Sequence, residues 1–437
     1  MSAEEVYTVP YDRIHRRSGH VAVVYKNYVV VWGGYTEHVQ RTSTSQIRTE
    51  YFPTDEIWIY DSNTELWDRE VTTGEHPPRN SGACGVILKQ HLYVFGGFAL
   101  LAGYTTDTTD DRNNNTNGLY RLDLTSLTWE QLHPSGKPEP AACDKLVGWE
   151  YEGRLYFFGG FGPPPSYDPP FKHVIDPSTS SLYERGWSNQ LVCYCPETDS
   201  WSWPKTHGRC PEPRAAHAAD RTGSRLYLFG GRYRGRRMSD LHCLDLDTMT
   251  WSGDLNNSLQ CAKPCGRSWH SLTFISPQRA ILYGGLNQMN TILNDCWVLE
   301  VPDIAWSELK DIPSIHKRKP RLWHKAPLVP TGEIVVIGGY AKNIFGTDEM
   351  FAGKDHAEEL ILLNFTPKSL RRLCVDFVLS LVDDPRIKPE LDTLPRSLCE
   401  LLRRRLEQDQ VERRARSIYY EGGDDFSTTP TVNCGCG

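Results

Sequence analysis

Short apolar runs recur along this chain, and each ends in a pair of glycines: VVVWGG, LYVFGG, LYFFGG, LYLFGG, AILYGG and IVVIGG. The pairs are Gly33-Gly34, Gly96-Gly97, Gly159-Gly160, Gly230-Gly231, Gly284-Gly285 and Gly338-Gly339, spaced by 63, 63, 71, 54 and 54 residues. A period of this size marks one supersecondary unit repeated with insertions. R-x-x-H precedes four of the runs (Arg17 and His20, Arg214 and His217, Arg267 and His270, Arg321 and His324) and predicts an inner strand a. The apolar run into the glycines is strand b. A third alternating run ends at a tryptophan (Trp67, Trp129, Trp201, Trp251 and Trp306), which opens strand d. Alternating β-branched and aromatic residues bounded by Gly, Asn, Asp and Ser read as strands in short hairpins. Gly-Gly at a strand end fits a close backbone approach, and the tryptophans fill space between neighbouring sheets. Six four-stranded repeats predict an all-β, six-bladed β-propeller over residues 1–365.

The sixth repeat stops after EELILLNF without a tryptophan-marked strand d. A ring must pair its last edge or leave it open, so residues 4–11 (EEVYTVPY) are expected to complete that blade. A formal charge of −7 gives no basic footprint and excludes nucleic acid as the expected partner. No apolar run reaches membrane-spanning length, and MSAEEVYTV has no basic or apolar leader, so no membrane or secretory role is expected. Thirteen cysteines, an odd number without framework spacing, point to reduced thiols and a cytoplasmic and nuclear location. Cys193-x-Cys195 and Cys434-x-Cys436 are too sparse for zinc. Neither metal nor cofactor is expected.

Blade topology places the b–c and d–a loops on one face. The c–d turns are uniformly short, whereas the b–c loops at 35–56, 98–118, 161–190 and 340–358 are long, and long loops on a rigid face carry function. The fourth b–c loop breaks the trend: eight residues, RYRGRRMS, with Arg232, Arg234, Arg236 and Arg237 directly behind a glycine pair. Arg267, Ser268, Trp269 and His270 join them from the fifth blade, and Lys145, Phe161 and Trp187 from the third. The expected result is a cationic floor with aromatic walls, suited to a carboxylate and a short peptide. Arg267 and His270 are read as structural because R-x-x-H repeats. The Arg232/Arg237 pair is read as functional because it belongs to no repeated position.

After Pro367 the period changes. Leu370, Leu373, Cys374, Phe377, Val378 and Leu381 lie on one face of a helix, with Ser369 as its N-cap. A second helix opens at Leu394-Pro395 and carries Leu398, Leu401, Leu402 and Leu406. The helical region is expected over 366–406, followed by a polar, flexible tail over 407–437.

Here the residues resemble a known family. SLRRLCVDFV (369–378) is similar to the BC box through which substrate receptors bind elongin C and elongin B, and LPRSL (394–398) to the downstream cullin box. With RSGHVAV, VWGGY, CDKLVGW, RGW, PRAAHA, FGGRYR, GRSWHSL and KPRLWH, the chain resembles the kelch domain-containing proteins 1 and 2, substrate receptors of cullin–RING ubiquitin ligases. The resemblance implies a non-catalytic receptor for protein C-termini ending in glycine (a diglycine C-degron). Arg232, Arg237 and Ser268 would hold the terminal carboxylate, and Lys145, Phe161, Trp187 and Trp269 would line the cleft. Leu370, Cys374 and Val378 would enter elongin C; Leu394, Pro395 and Leu398 would face cullin-2 or cullin-5, which brings the RING protein. The insert at 98–117 and the segment after 407 lie outside the resemblance.

The chain's own end, TVNCGCG, presents the carboxylate of Gly437 and is expected to compete weakly for the same cleft in this or a neighbouring molecule. Two other classes stay in view. A copper oxidase on a similar ring needs a Tyr/His/Cys ligand set in a secreted context, and neither is evident. A plain interaction scaffold, for instance cytoskeletal, predicts no elongin binding and no dependence on a free C-terminus.

Overall fold

The computed structural model describes residues 14–40, 46–99, 115–179, 184–259, 262–311, 319–341, 356–357, 359–381 and 393–420. Five complete antiparallel sheets follow in the order a-b-c-d. The first is Val21–Tyr25, Tyr28–Trp32, Glu56–Asp61 and Leu66–Val71. The second is Cys84–Leu88, His91–Phe95, Leu119–Asp123 and Thr128–Leu132, with Thr73–Gly74 added parallel to its outer strand. The third runs from Val147–Tyr151 to Ser200–Ser202, the fourth from Ala218–Thr222 to Thr250–Asp254, and the fifth from Ser271–Ser276 to Ala305–Glu308. The sixth pairs Glu333–Val336 with Ile361–Asn364, and bridges from Lys325 and Leu328 add its inner strand. These are the six blades expected from the glycine repeat. Residues 4–11, expected to finish the sixth blade, lie outside the described residues, as do Cys434, Cys436 and Gly437.

The glycine pair is the joint between blades. Its second N–H donates to the carbonyl of the residue at the R-x-x-H arginine position in the next blade: Gly34 to Asn80, Gly97 to Cys143, Gly160 to Arg214, Gly231 to Arg267 and Gly285 to Arg321, at 2.7–2.9 Å. Gly339 donates likewise to Arg17 at 2.9 Å, which closes the sixth blade on the first. Side chains cannot stand here: an added Cβ on Gly160 or Gly231 would lie 2.8 Å from Cβ of Cys143 or His217, at φ of +116° or +98°.

The repeat histidine covers the first glycine of the preceding blade and meets its last aromatic edge-on. His217 lies 5.8 Å from Phe158, and His270 lies 5.5 Å from Phe229. Burial and then the neighbouring Arg214 push the pKa of His217 down to about 3; burial and then Arg321 do the same to His324. The repeat arginine ties the glycine carbonyl to the acid that opens strand c in its own blade. Arg214 donates to Gly230 O at 2.9 Å and bidentately to Asp240 at 2.8 Å. Arg267 repeats this on Gly284 O and Asp295. Both guanidiniums are fully buried, so Arg267 and His270 are structural, in line with the sequence expectation.

Each strand-d tryptophan packs on the strand-b aromatic of the blade before it. Trp129 lies 5.5 Å from Trp32, Trp201 5.2 Å from Phe95, Trp251 5.3 Å from Phe158 and Trp306 5.3 Å from Phe229. Such pairs add about 0.5–1.5 kcal/mol each beyond their buried area. Trp67 joins Val335 and Ile337 in the cluster that links the first and sixth blades.

The described residues divide into two compact units, chiefly between Lys368 and Ser369. The second unit holds two helices, Leu370–Leu381 and Arg396–Tyr420. Ser369 caps the first, its Oγ accepting from the N–H of Arg372 at 3.4 Å. The second helix does not end at Leu406 but continues to Tyr420, which corrects the flexible segment expected from 407. Residues 407–420 contain Glu, Gln, Arg and Ala without Gly or Pro; these are good helix formers, and their polarity alone does not break a helix.

Candidate functional site

One mouth of the ring is lined by a repeated backbone device. The residue just before each repeat histidine, or its equivalent, has positive φ: Gly19 (67°), Gly82 (71°), Lys145 (58°), Ala216 (56°), Trp269 (57°) and Trp323 (57°). Successive members are joined head to tail. Gly82 N–H donates to Gly19 O, Lys145 to Gly82, Ala216 to Lys145, Trp269 to Ala216 and Trp323 to Trp269, at 2.7–2.8 Å. A left-handed conformation costs a bulky residue about 1–2 kcal/mol, and non-glycine residues held there cluster at functional sites. Lys145 and Trp269, expected to line the cleft, are two members of this series. Trp323 is a third, which sequence reading missed although RLWH aligns with RSWH.

A second tier follows the glycine pairs: Tyr35, Phe98, Phe161, Arg232, Leu286 and Tyr340. Each pairs antiparallel with the second residue of R-x-x-H or its equivalent, among them Asp144 with Phe161, Ala215 with Arg232 and Ser268 with Leu286. Arg232 therefore does occupy a repeated position, contrary to the sequence expectation. It is the one member of this tier that is charged, and that difference hid the equivalence.

The arginine loop is a hairpin in which Arg232 pairs with Arg237 and Tyr233 with Arg236. Positive φ at both turn residues, Arg234 (47°) and Gly235 (75°), suits a tight two-residue turn. Gln288 of the fifth blade holds it from outside: its Oε1 accepts from Arg237 N–H at 2.7 Å, and its Nε2 donates to Gly235 O at 3.1 Å. Arg237 Nε in turn donates to Oγ of fully buried Ser268 at 3.2 Å. Burial, and then the charge of Arg232, lower the pKa of the half-buried Arg237. Among the described residues neither Arg232 nor Arg237 has a carboxylate partner. The structure thus brings Arg232, Arg237 and Ser268 together across one blade joint, with two guanidiniums lacking a counter-ion.

The third blade supplies the adjoining wall. Lys145 Nζ pairs with the Asp144 carboxylate and stands 6.0 Å from the Phe161 ring and 5.5 Å from Trp323. Phe161 packs on Trp187 at 5.3 Å, and Trp187 meets Tyr233 of the arginine hairpin at 5.9 Å. Trp187 is only 2% exposed. It supports Phe161 and Tyr233 from behind rather than facing the mouth. Trp269 stacks obliquely on Trp323 at 5.7 Å. Across the mouth, the hydroxyls of Tyr35 and Tyr340 hydrogen-bond at 2.6 Å, joining the first and sixth blades. Tyr233, Arg185 and Gln288 also lie at this site and were not picked out from sequence, because their roles depend on contacts between blades.

In the helical unit, Leu370, Leu373 and Phe377 are 77%, 50% and 64% exposed, and Cys374 is exposed beside them. Val378 and Leu398 are half-buried, as is Leu394, while Pro395 is exposed. The stripe foreseen from spacing is therefore present on the first helix as an open apolar surface.

The KLHDC2/KLHL20/DRC7 Kelch-repeats domain matches residues 19–285 and 179–339. Kelch domain-containing protein 2 of Bos taurus is 37% identical over 369 residues, covering 83% of this chain and 84% of that protein. Kelch domain-containing protein 1 of Mus musculus is 36% identical over 370 residues, with the same coverage of each. The solved structure of YjhT aligns with a TM-score of 0.57 at 14% identity, covering 81% of this chain and 97% of that one, a likeness of fold alone. With its blade joints, repeat motifs and these relatives in agreement, the chain belongs to the kelch-repeat family of kelch domain-containing proteins 1 and 2.

Proposed function

We propose that this protein is the substrate-recognition subunit of an elongin B/C–cullin–RING ubiquitin ligase and that it binds protein C-termini ending in glycine. The observation that carries this reading is the Arg232–Arg237–Ser268 cluster: two half-buried guanidiniums without an acidic partner among the described residues, beside an oriented hydroxyl. A terminal carboxylate satisfies both forks, and capture of a C-terminus is a recurring recognition mode. Phe161, Tyr233, Trp269 and Trp323 offer flat apolar surface to the preceding residues. A chain longer by one residue would carry its carboxylate past the arginines, and rejection follows from that mismatch.

The receptor performs no bond chemistry of its own; ubiquitin transfer belongs to its partners. The exposed stripe of Leu370, Leu373, Cys374 and Phe377 favours this reading over a plain interaction scaffold, because it supplies the apolar helix face that elongin C would cover. The cullin, cullin-2 or cullin-5, would then meet the segment at Leu394, Pro395 and Leu398, in the cytoplasm and nucleus.

The test is binding of a peptide ending in Gly-Gly beside the same peptide amidated at its C-terminus. The free acid should bind at least tenfold more tightly, and Arg232→Ala or Arg237→Ala should erase that preference. Equal binding of acid and amide would leave a kelch scaffold with another ligand.

A further inference from the structure

The mouth carries more positive charge than one carboxylate can balance. Arg185, in the b–c loop of the third blade, lies with its guanidinium 4.7 Å from the Phe161 ring and 5.0 Å from the Phe98 ring. Its one ionic contact among the described residues is a loose 3.6 Å approach to Asp144 Oδ1. The other oxygen of Asp144 is taken by Lys145. Asp144 is buried, so one enclosed carboxylate serves two cations, and the pair keeps a net positive charge. Nε and Nη2 of the Arg185 guanidinium are buried without a hydrogen-bond partner among the described residues. Arg232 and Arg237 on the next blade add two more charges without a carboxylate partner among the described residues.

Resting on the reading of the site as a C-terminus receptor, we propose that Lys145 and Arg185 form a second anion subsite. It takes the carboxylate side chain of a glutamate or aspartate about three residues before the C-terminus. The backbone series at the mouth sets the distance. Lys145 is linked to Ala216, and Ala216 to Trp269, the neighbour of Ser268. Two such links span roughly 10 Å, taking about 5 Å between hydrogen-bonded backbones, and three extended residues cover the same length at about 3.3 Å each. A ligand lying along this path puts its terminal carboxylate on Arg232 and Arg237 while an upstream acid reaches Lys145 and Arg185. Phe98 and Phe161 hold the Arg185 plane fixed, so little rotamer freedom is lost on binding. The favoured substrates are then a subclass, glycine-ended tails with an acidic residue just upstream, and lysine at that position is disfavoured by like charge.

The test uses the full chain and fluorescent peptides ending in Gly-Gly, with a single glutamate moved through the third, fourth and fifth positions from the end. Glutamine and lysine versions and amidated controls accompany them. At its best position glutamate should bind about two- to fivefold more tightly than glutamine, a margin typical of a partly exposed ion pair. The margin should shrink as salt rises. In Arg185→Gln the glutamate-to-glutamine ratio should fall towards one, and Lys145→Gln should lower it independently, with thermal melts checking that both variants fold. Glutamate and glutamine bound equally at all three positions, with the acid-over-amide preference intact, would overturn the second subsite and leave the C-terminus reading standing. Loss of the acid-over-amide preference itself would overturn both.

Discussion

Replacing Gly339 by alanine should weaken the whole ring, and Gly153 provides the control. Both glycines have positive φ, +85° and +72°, so alanine at either pays the left-handed cost of about 1–2 kcal/mol. Gly153 sits at a strand a–b turn with nothing within 4 Å of an added Cβ, and the cost ends there. At Gly339 the same atom would stand 2.5 Å from Leu322 O and 2.9 Å from N and Cβ of His324. Ordinary contact at 3.4 Å therefore needs a shift of about 0.9 Å against backbone. The closing hydrogen bond from Gly339 N–H to Arg17 O, now 2.9 Å, is stretched or lost by such a movement. A buried hydrogen bond left unmade costs about 1–3 kcal/mol, and forced repacking adds about 1–3 kcal/mol. The difference between the two variants is then about 2–6 kcal/mol, or a melting temperature roughly 2–7 °C lower for Gly339→Ala, taking an unfolding entropy of about 2.1 cal/mol/K per residue over a chain of this size. Thermal melts and urea titrations followed by tryptophan fluorescence measure it directly. Equal midpoints for the two variants would refute the assignment of the glycine pair as the blade joint.

Two further outcomes follow from the same geometry. Gln288→Ala removes both side-chain contacts that pin the arginine hairpin and should weaken free-acid peptide binding at least about fivefold, taking about 0.5–1.5 kcal/mol for each of the two hydrogen bonds; undiminished affinity would show that the hairpin stands without it. Acidification should destabilise the fold: with pKa values held at about 3, His217 and His324 stay neutral while the unfolded chain takes up protons below the ordinary 6.5, so each loses about 2 kcal/mol of stability by pH 5. His20 and His270 shift the same way, whereas Asp220, raised by burial to about 6, works in the opposite sense and offsets about 1 kcal/mol. Urea midpoints at pH 7 and pH 5 check this, and no fall at pH 5 would contradict the neutral buried histidines.

The architecture was legible because each blade repeats the same few demands. A joint without Cβ atoms requires Gly-Gly, a gap between sheets requires Trp129 or Trp251, and a helix start requires a cap such as Ser369. These are local requirements and leave local marks. Contacts that span blades leave none: Gln288 holds a loop 51 residues away in sequence, and Arg185 packs on the Phe98 ring of the preceding blade. Arg232 shows a subtler failure. Its position repeats, but its side chain is unlike that of its equivalents, so the pattern concealed it while its chemistry drew attention. Trp187 shows the reverse, since an aromatic residue beside a cleft can be foundation rather than wall. The extension of the second helix past Leu406 was missed because polar composition resembles disorder until helix propensity is weighed.

The hydroxyl that orients Arg237 comes from the following blade, and Lys145 is tied to the arginine blade through the amide of Ala216. Recognition is consequently a property of assembly, spread over neighbours that meet only when the circle is complete. A partly folded intermediate, with the fourth blade formed and the fifth still loose, would have its arginines but not their alignment. Such a species would lack the aligned site, so an immature ring would be blind to a ligand that the finished one can hold. Once seated, a ligand would act as a keystone: it binds the closed ring and not the open one, and it raises the ring's stability in proportion to its own occupancy.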